Sequence, residues 1–347
     1  MLVAYPLLPV SEASAGGAEQ VLWTLERELA RRGWQTQVAA CAGSRVSGEL
    51  LATGEVSHTM DSFEERAREH TERVVEECAR NKFDMILDHS GYFFRHAGRV
   101  KQTVLATLHL PRSLYPADAF ENVPANVHFN CVSESQMREF KELPSIPEMV
   151  RNGIAVERFR MGGKRANQLL WLGRVCPEKA PHLAIQAALK TKMEIVVAGQ
   201  IYPFTSHKQY WDAEVAPLID GQKVKWVPLP PFEEKLQLLM QARALLVSSQ
   251  IAETTSLAAL EAMACGTPVI AFNAGALADV VPRQTGFVVN SVDEMAAACG
   301  ALGTIRSQDC REWVERNYSG RVMADEYENL MLHVHEQRRW MERRQDD

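Results

Sequence analysis

The chain has 347 residues, 46% hydrophobic and 24% charged, a balance that excludes a disordered or membrane-embedded chain and predicts a packed, soluble one. At roughly 150 residues per domain the length predicts two domains, and two domains make one cleft. Lys plus Arg number 38 against 44 Asp plus Glu, so the net charge of -6 gives no field to attract nucleic acid, which is not an expected partner.

Residues 2–8 form a short apolar run ending at Pro9, the pattern of a buried parallel strand, and a Ser/Ala/Gly loop follows over 11–17. Val21, Leu22, Leu25 and Leu29 then recur at helical spacing, Arg31 and Arg32 fill the last turn, and Gly33 stands where a left-handed cap belongs. A strand over 34–40, an amphipathic helix over 62–81, apolar strands over 83–87 and 104–108, a strand over 127–132 and a short helix from Glu134 continue the alternation. The pattern restarts with strands over 168–172, 194–198, 224–227, 244–247 and 269–272. Strands interleaved with helices imply parallel βαβ units, so the predicted fold class is α/β with two doubly wound domains.

The boundary is predicted between 152 and 167, where Asn152-Gly153 and the Gly-Gly-Lys-Arg stretch over 162–165 break the periodicity. Residues 1–155 and 156–310 are the two expected domains. A helical pattern over 310–340 places the remainder, 311–347, as a helical segment returning to the first domain.

Cys41, Cys78, Cys131, Cys176, Cys265, Cys299 and Cys310 are odd in number, scattered and without a C-x-x-C pair, so reduced thiols and a cytoplasmic setting are expected. The N-terminus carries no basic region followed by a long apolar stretch, and no 18-residue apolar run occurs. Arg338, Arg339, Arg343 and Arg344 around Trp340 could touch an anionic membrane surface, but a solvated helix end explains them more economically, so peripheral membrane contact is not indicated.

In open parallel sheets, ligands bind beyond the carboxyl ends of the strands, and three strand-end loops stand out. The first holds Gly16-Gly17, where backbone amides can approach a phosphate at a helix start, though simple turn geometry explains the pair equally well. The second runs Gly173-Arg174-Val175-Cys176-Pro177-Glu178-Lys179; Arg offers a planar fork to two phosphate oxygens and Lys a mobile charge, the alternative being a solvated surface pair. The third begins Glu253-Thr254-Thr255-Ser256-Leu257. Thr255 or Ser256 is expected to cap a helix ending before Gly266, whose N-terminus is a second anion site with Glu253 just before it and Glu261 within the helix; the alternative is that Glu253 complements the helix dipole and Glu261 is a surface charge.

Two Glu separated by seven residues and followed by Ala-Met-Ala-Cys-Gly-Thr-Pro-Val-Ile, over 253–270, resemble the signature of retaining glycosyltransferase family 4, the glycosyl transferases group 1 of the GT-B fold. Gly16-Gly17, Asn152-Gly153-Ile154 with Phe159, Gly173-Arg174 with Lys179, Ala198-Gly199 and Thr285-Gly286-Phe287 stand in that family's order. The resemblance implies two Rossmann-like domains facing a cleft. It implies transfer of a sugar from a nucleotide-sugar donor, a UDP-sugar foremost, to an unidentified acceptor with retention of configuration and no metal or other cofactor. Arg174 and Lys179 would hold the diphosphate and stabilise its departure. Glu253 would bind donor-sugar hydroxyls and Glu261 the ribose, with Gly16, Gly17, Thr254, Thr255, Ser256 and Leu257 lining the donor. His109 matches the family's active-site His, and Asp88, His89, Tyr92 and Arg112 are acceptor-side candidates by strand-end position.

Three positions depart from the family pattern. Thr254-Thr255-Ser256 stand where a bulky residue and Phe-Gly are usual, Ala180 follows Lys179 in place of the common Gly, and the stretch over 227–231 lacks the Gly expected near the base-binding loop. A nucleotide-sugar epimerase of similar architecture and a non-catalytic donor-binding subunit are the competing functions. A metal-dependent GT-A transferase is disfavoured because Asp-x-Asp is absent, and an NAD enzyme because G-x-G-x-x-G is absent.

Overall fold

The structure, a computed structural model, describes residues 1–14, 16–57, 63–141, 143, 147–163 and 165–345, with side chains described to residue 337. The chain divides into two compact units, Met1–Gly153 with Gly320–Asp347, and Ile154–Ser319.

The first unit contains β1 (Leu2–Val3), α1 (Gly17–Arg31), β2 (Gln37–Ala40), β3 (Glu49–Ala52), α2 (Phe63–Arg80), β4 (Met85–Asp88), β5 (Thr103–Leu108), β6 (Val127–Cys131), α3 (Glu134–Met137) and β7 (Glu148–Met149). The second contains β8 (Gln168–Leu172), α4 (Pro181–Thr191), β9 (Glu194–Ala198), α5 (Thr205–Tyr210), β10 (Val224–Val227), α6 (Phe232–Gln241) and β11 (Ala244–Val247). It continues through α7 (Leu257–Ala264), β12 (Val269–Phe272), α8 (Leu277–Val280), β13 (Gly286–Val289), α9 (Val292–Ala301) and α10 (Ser307–Asn317). Helix α11 (Gly320–Gln345) closes the chain and belongs to the first unit.

The strand orders are β3-β2-β1-β4-β5-β6-β7 and β10-β9-β8-β11-β12-β13, with every named pairing parallel. Both units are doubly wound α/β sheets. Each order reverses at one point, between β1 and β4 in the first sheet and between β8 and β11 in the second. Side chains in the second sheet alternate between two cores: Leu170, Leu245, Val269 and Ala271 face α6, α7 and α10, while Leu169, Trp171, Leu246 and Ile270 face α4 and α9. Burial on both faces is why these strands are continuous apolar runs in sequence.

Some elements differ from the sequence expectation for local physical reasons. The apolar run over 2–8 pairs only at Leu2–Val3, because Pro6 and Pro9 limit extended pairing. Residues 34–36 precede rather than join β2. Residue 62 of the expected helix lies outside the described residues. The helical pattern over 310–340 is two helices broken at Tyr318-Ser319, where the chain leaves the second unit. Helix α10 stays in the second unit because Cys310 and Val314 are buried in its core. The side chains of the basic cluster at 338–344 lie outside the described residues, and no described helix is long and apolar enough to cross a membrane.

Helix α11 is fastened to the first sheet by the buried Tyr327, whose hydroxyl lies 2.7 Å from Thr107 Oγ1, which in turn donates to Asn130 at 2.9 Å. Arg32 pairs with Asp325 at 2.8 Å and with Glu328, and Trp34 Nε1 donates to Glu328 at 2.7 Å. The two positions at which side-chain-bearing residues replace usual glycines adopt positive φ: Ala180 at 45° and Ser256 at 77°. Leu229, in the stretch lacking the expected Gly, has φ 21°. An L-residue held in the left-handed region costs roughly 1–2 kcal/mol, whereas glycine loses more backbone entropy on folding. We therefore expect Ala180→Gly to stabilise the protein by about 0.5–1 kcal/mol, read as a raised denaturant midpoint; a lowered midpoint would show that Ala180 is unstrained.

Candidate functional site

The loops that leave the two strands at a reversal point diverge to opposite faces of the sheet and open a crevice between them. In the second unit these are the loops after β8 and β11, held together by Ser248. Its hydroxyl lies 3.1 Å from Lys179 O and 2.8 Å from Ala180 O, and it accepts from Trp171 Nε1 at 3.2 Å. Gln250 N donates to Glu178 O at 2.7 Å. Beside them, a Cβ on Gly199 would lie 1.9 Å from Gly173 O, so the loops after β8 and β9 meet at a distance open only to glycine.

This framework brings Lys179 and Glu253 together. Lys179 Nζ donates to Glu253 Oε1 at 2.5 Å, and Ser249 Oγ donates to the same oxygen. Glu253 is buried and Lys179 is partly so. The Glu253 backbone bridges to Gly275, whose φ is 60° and whose added Cβ would sit 2.3 Å from Glu253 O; Ala276 N donates to that oxygen at 2.8 Å. Main chain and side chain of Glu253 are therefore both fixed. Removing one partner of such a buried pair leaves an uncompensated charge, at a cost of about 3–5 kcal/mol. Arg174, on the same loop as Lys179, is exposed, and its side chain makes no ion pair or hydrogen bond among the described residues.

Glu261 is 5% exposed on α7, which excludes the surface-charge explanation, and it accepts from Lys235 Nζ of α6 at 2.8 Å. Lys235 stands 5.8 Å from the Phe159 ring centroid and 5.5 Å from that of Phe232. Each site carboxylate thus has its own lysine. The expected side-chain cap is not made by Ser256, which occupies the N-cap position of α7 with φ 77° and ψ 82° in place of the extended backbone of a capping serine. Thr254 is half-buried, Thr255 buried, and Leu257 opens the helix.

In the first unit, Gly16 is the extended N-cap of α1 and Gly17 its first residue, with no side-chain cap. His109, after β5, does not stand alone. Its Nε2 lies 2.9 Å from Nδ1 of His89, which follows β4. Burial pushes the His109 pKa down to about 4 and holds His89 well below its ordinary value, with the neighbouring His109 charge adding to the effect, so the pair is neutral near pH 7. Asp88 is occupied in structure: its carboxylate accepts from Ser90 N, Ser90 Oγ and Phe94 N at 2.9, 2.6 and 2.8 Å, while burial raises its pKa to about 6. Arg112 donates to Ala117 O at 3.1 Å and covers Phe120, and Tyr92 packs on His96. Gly16, Gly17 and His109 thus sit in one unit and Arg174, Lys179, Glu253 and Glu261 in the other.

Sequence reasoning missed Ser249, Lys235 and Glu19. Lys235 gives no local signal because its partner Glu261 lies on another helix, and Ser249 is an ordinary loop serine until the fold turns its hydroxyl onto Glu253. Among the described residues, one group of potential metal ligands comes together: Cys176, Glu178 and His207. All seven cysteines are buried and unpaired.

Residues 166–304 match the family described as glycosyl transferases group 1. The D-inositol 3-phosphate glycosyltransferase of Mycolicibacterium paratuberculosis is 33% identical over 178 residues, covering 46% of this chain and 40% of that protein. The chain thus matches about two fifths of such a relative's length. Among solved structures, AviGT4, a glycosyltransferase involved in avilamycin A biosynthesis, superposes with a TM-score of 0.75 at 22% identity, covering 96% of this chain and 97% of the other. Sucrose-phosphate synthase of Thermosynechococcus elongatus reaches 0.79 at 19% identity over 96% and 98%. HepE of Anabaena in complex with UDP-glucose reaches 0.75 at 12% identity over 96% and 99%.

Glu19, in the first turn of α1, is 4% exposed, and burial raises its pKa from 4.5 to about 7. Below pH 4.5 it is protonated folded and unfolded and costs nothing; as pH rises through about 7 the folded state must hold a desolvated charge, and stability is lost. Each unit of such a shift is worth about 1.4 kcal/mol. Glu19→Gln is therefore expected to be more stable than the native protein at pH 8, with the gain vanishing at pH 4, by chemical denaturation at both pH values. A pH-independent difference would contradict the assignment.

Proposed function

Because residues 166–304 belong to the glycosyl transferases group 1 family, we propose that the chain is a glycosyltransferase that moves a sugar from a nucleoside-diphosphate donor to a hydroxyl-bearing acceptor, with retention of configuration and without a metal at the reacting bond. The observation that carries this reading is the Lys179–Glu253 pair beside the unpaired Arg174 at the reversal point of the second sheet. A diphosphate leaving group gains negative charge as the glycosidic bond breaks. Arg174 and Lys179 meet that charge with donors already in place, so the stabilisation grows toward the transition state. Lys179 is not a loose surface cation, since Glu253 fixes its position before any ligand arrives.

Glu253, with one oxygen committed to Lys179 and Ser249, offers its remaining acceptor capacity to donor-sugar hydroxyls. Glu261, held by Lys235, is placed to accept from the ribose. The amides at the starts of α1 and of α7, which no Gly16 or Ser256 side chain caps, each suit phosphate oxygens, and Thr254, Thr255 and Leu257 border those of α7. UDP-glucose bound to HepE supports a UDP-sugar as donor. His109, kept neutral with His89, serves as a hydrogen-bonding group toward the acceptor or donor sugar rather than as a charge. The buried unpaired thiols favour a cytoplasmic setting.

Thermal unfolding in chelator with a panel of nucleoside diphosphates tests the metal-free donor site. The matching nucleotide, at about 100 times its Kd, is expected to add about 2.7 kcal/mol. In the same preparation Arg174→Ala should lower turnover by about 100-fold or more while weakening nucleoside binding far less. Stabilisation only on adding magnesium or manganese, or unchanged turnover in the variant, would overturn the mechanism.

A further inference from the structure

The loop that carries Arg174 and Lys179 holds a second cluster that the proposed transfer does not use. Cys176, Glu178 and His207 each present one ligand atom, and these atoms all lie within 4.8 Å of one another. Cys176 is fully buried and His207 is 7% exposed, while Glu178 is exposed. His207 stands on α5, its ring set against Phe204 with centroids 5.0 Å apart, and its buried Nδ1 has no hydrogen-bond partner among the described residues. A buried ring nitrogen without a partner is rare in folded proteins and calls for a ligand or water. Cys176 Sγ lies 3.6 Å from Arg174 O.

We propose that Cys176, Glu178 and His207 bind one borderline divalent cation of the zinc type, through one sulfur, one nitrogen and one oxygen ligand, leaving a fourth position open to water. This donor set is the one zinc accepts, and three protein ligands with an open position is a geometry it adopts. With bonds of about 2.0–2.3 Å, tetrahedral ligand atoms stand about 3.3–3.7 Å apart. Closing the observed cluster therefore needs each ligand pair to contract by at most about 1.5 Å, and the exposed Glu178 arm is free to supply its own share. On binding, the Cys176 proton passes to solvent, and thiolate and carboxylate together offset the charge of the ion. The ion ties the loop after β8 to α5 and so fixes the segment bearing Arg174 and Lys179. Its binding is independent of the donor; any effect on donor affinity rests on the function proposed above.

Full-length protein, stripped with chelator and exchanged into metal-free buffer, is titrated with Co2+ alone as the visible substitute for Zn2+, and Zn2+ is then added in competition. We expect one equivalent of Co2+ with a thiolate-to-cobalt charge-transfer band that Zn2+ abolishes. The band should be lost in Cys176→Ser and in His207→Ala and kept in Cys299→Ser. Glu178→Gln, a change at an exposed residue that preserves folding, should weaken Co2+ binding about tenfold or more, since even outer-shell partners of a metal carry that much. No band in the native protein, a band that survives Cys176→Ser, or unchanged affinity in Glu178→Gln overturns the site. Because no nucleotide is present, these outcomes stand apart from the fate of the donor assignment.

Discussion

The second unit is organised around one buried ion pair at the reversal point of a parallel sheet. Lys179 arrives on the loop after β8 and Glu253 on the loop after β11, 74 positions apart in sequence, and they meet because β8 and β11 are hydrogen-bonded neighbours. Almost every nearby detail serves that meeting. Ser248 ties the two loops together, Ser249 shares the Glu253 oxygen, and Gly275 lets its own loop approach closely enough to bind the Glu253 main chain. A charge pair removed from water is costly unless geometry and extra hydrogen bonds compensate, which accounts for the number of groups devoted to this one.

Strain enters at the same place. Ala180 and Ser256 hold left-handed conformations at positions where glycine is usual in similar sequences, one at the entry to α4 and the other at the entry to α7. Both residues sit where a loop must turn sharply so that a helix start faces the strand ends. Backbone held in sparsely populated regions persists only where its surroundings over-determine it. Here those surroundings include the Ser248 bond to Ala180 O and the Ser256 O bonds to Ala259 N and Leu260 N.

Much of the second sheet was legible in sequence because its strands are buried on both faces. The runs at Gln168–Leu172, Glu194–Ala198, Val224–Val227, Ala244–Val247 and Val269–Phe272 carry little but apolar side chains inside turn signals, and their observed bounds match. The edge strand β3 was not legible, since Glu49–Ala52 is largely exposed and shows no clear alternation, and β7 is only two residues long. Arg174, Lys179, Glu253 and Glu261 were legible as charged residues at strand ends or in motif spacing. The partner of Glu261 was not, because Lys235 comes from another helix; His89 and His109 were both legible as strand-end residues, but their pairing across neighbouring strands was not. The Ser256 cap failed because propensity places serine at the start of a helix but does not fix its φ. Glu19 fits the helix dipole in sequence, and only the fold reveals that it is buried.

The central claim is that the two carboxylate–lysine pairs have separate jobs, Lys179 with Glu253 at the diphosphate and sugar, and Lys235 with Glu261 at the ribose. Calorimetric titration of Glu253→Gln and Glu261→Gln with UDP, followed by turnover with the intact donor, tests it directly. The account predicts that Glu253→Gln binds UDP as well as the native protein, or more tightly because Lys179 is released, yet loses sugar transfer, whereas Glu261→Gln loses affinity for UDP and donor alike. Equal loss of UDP affinity in both folded variants would contradict it.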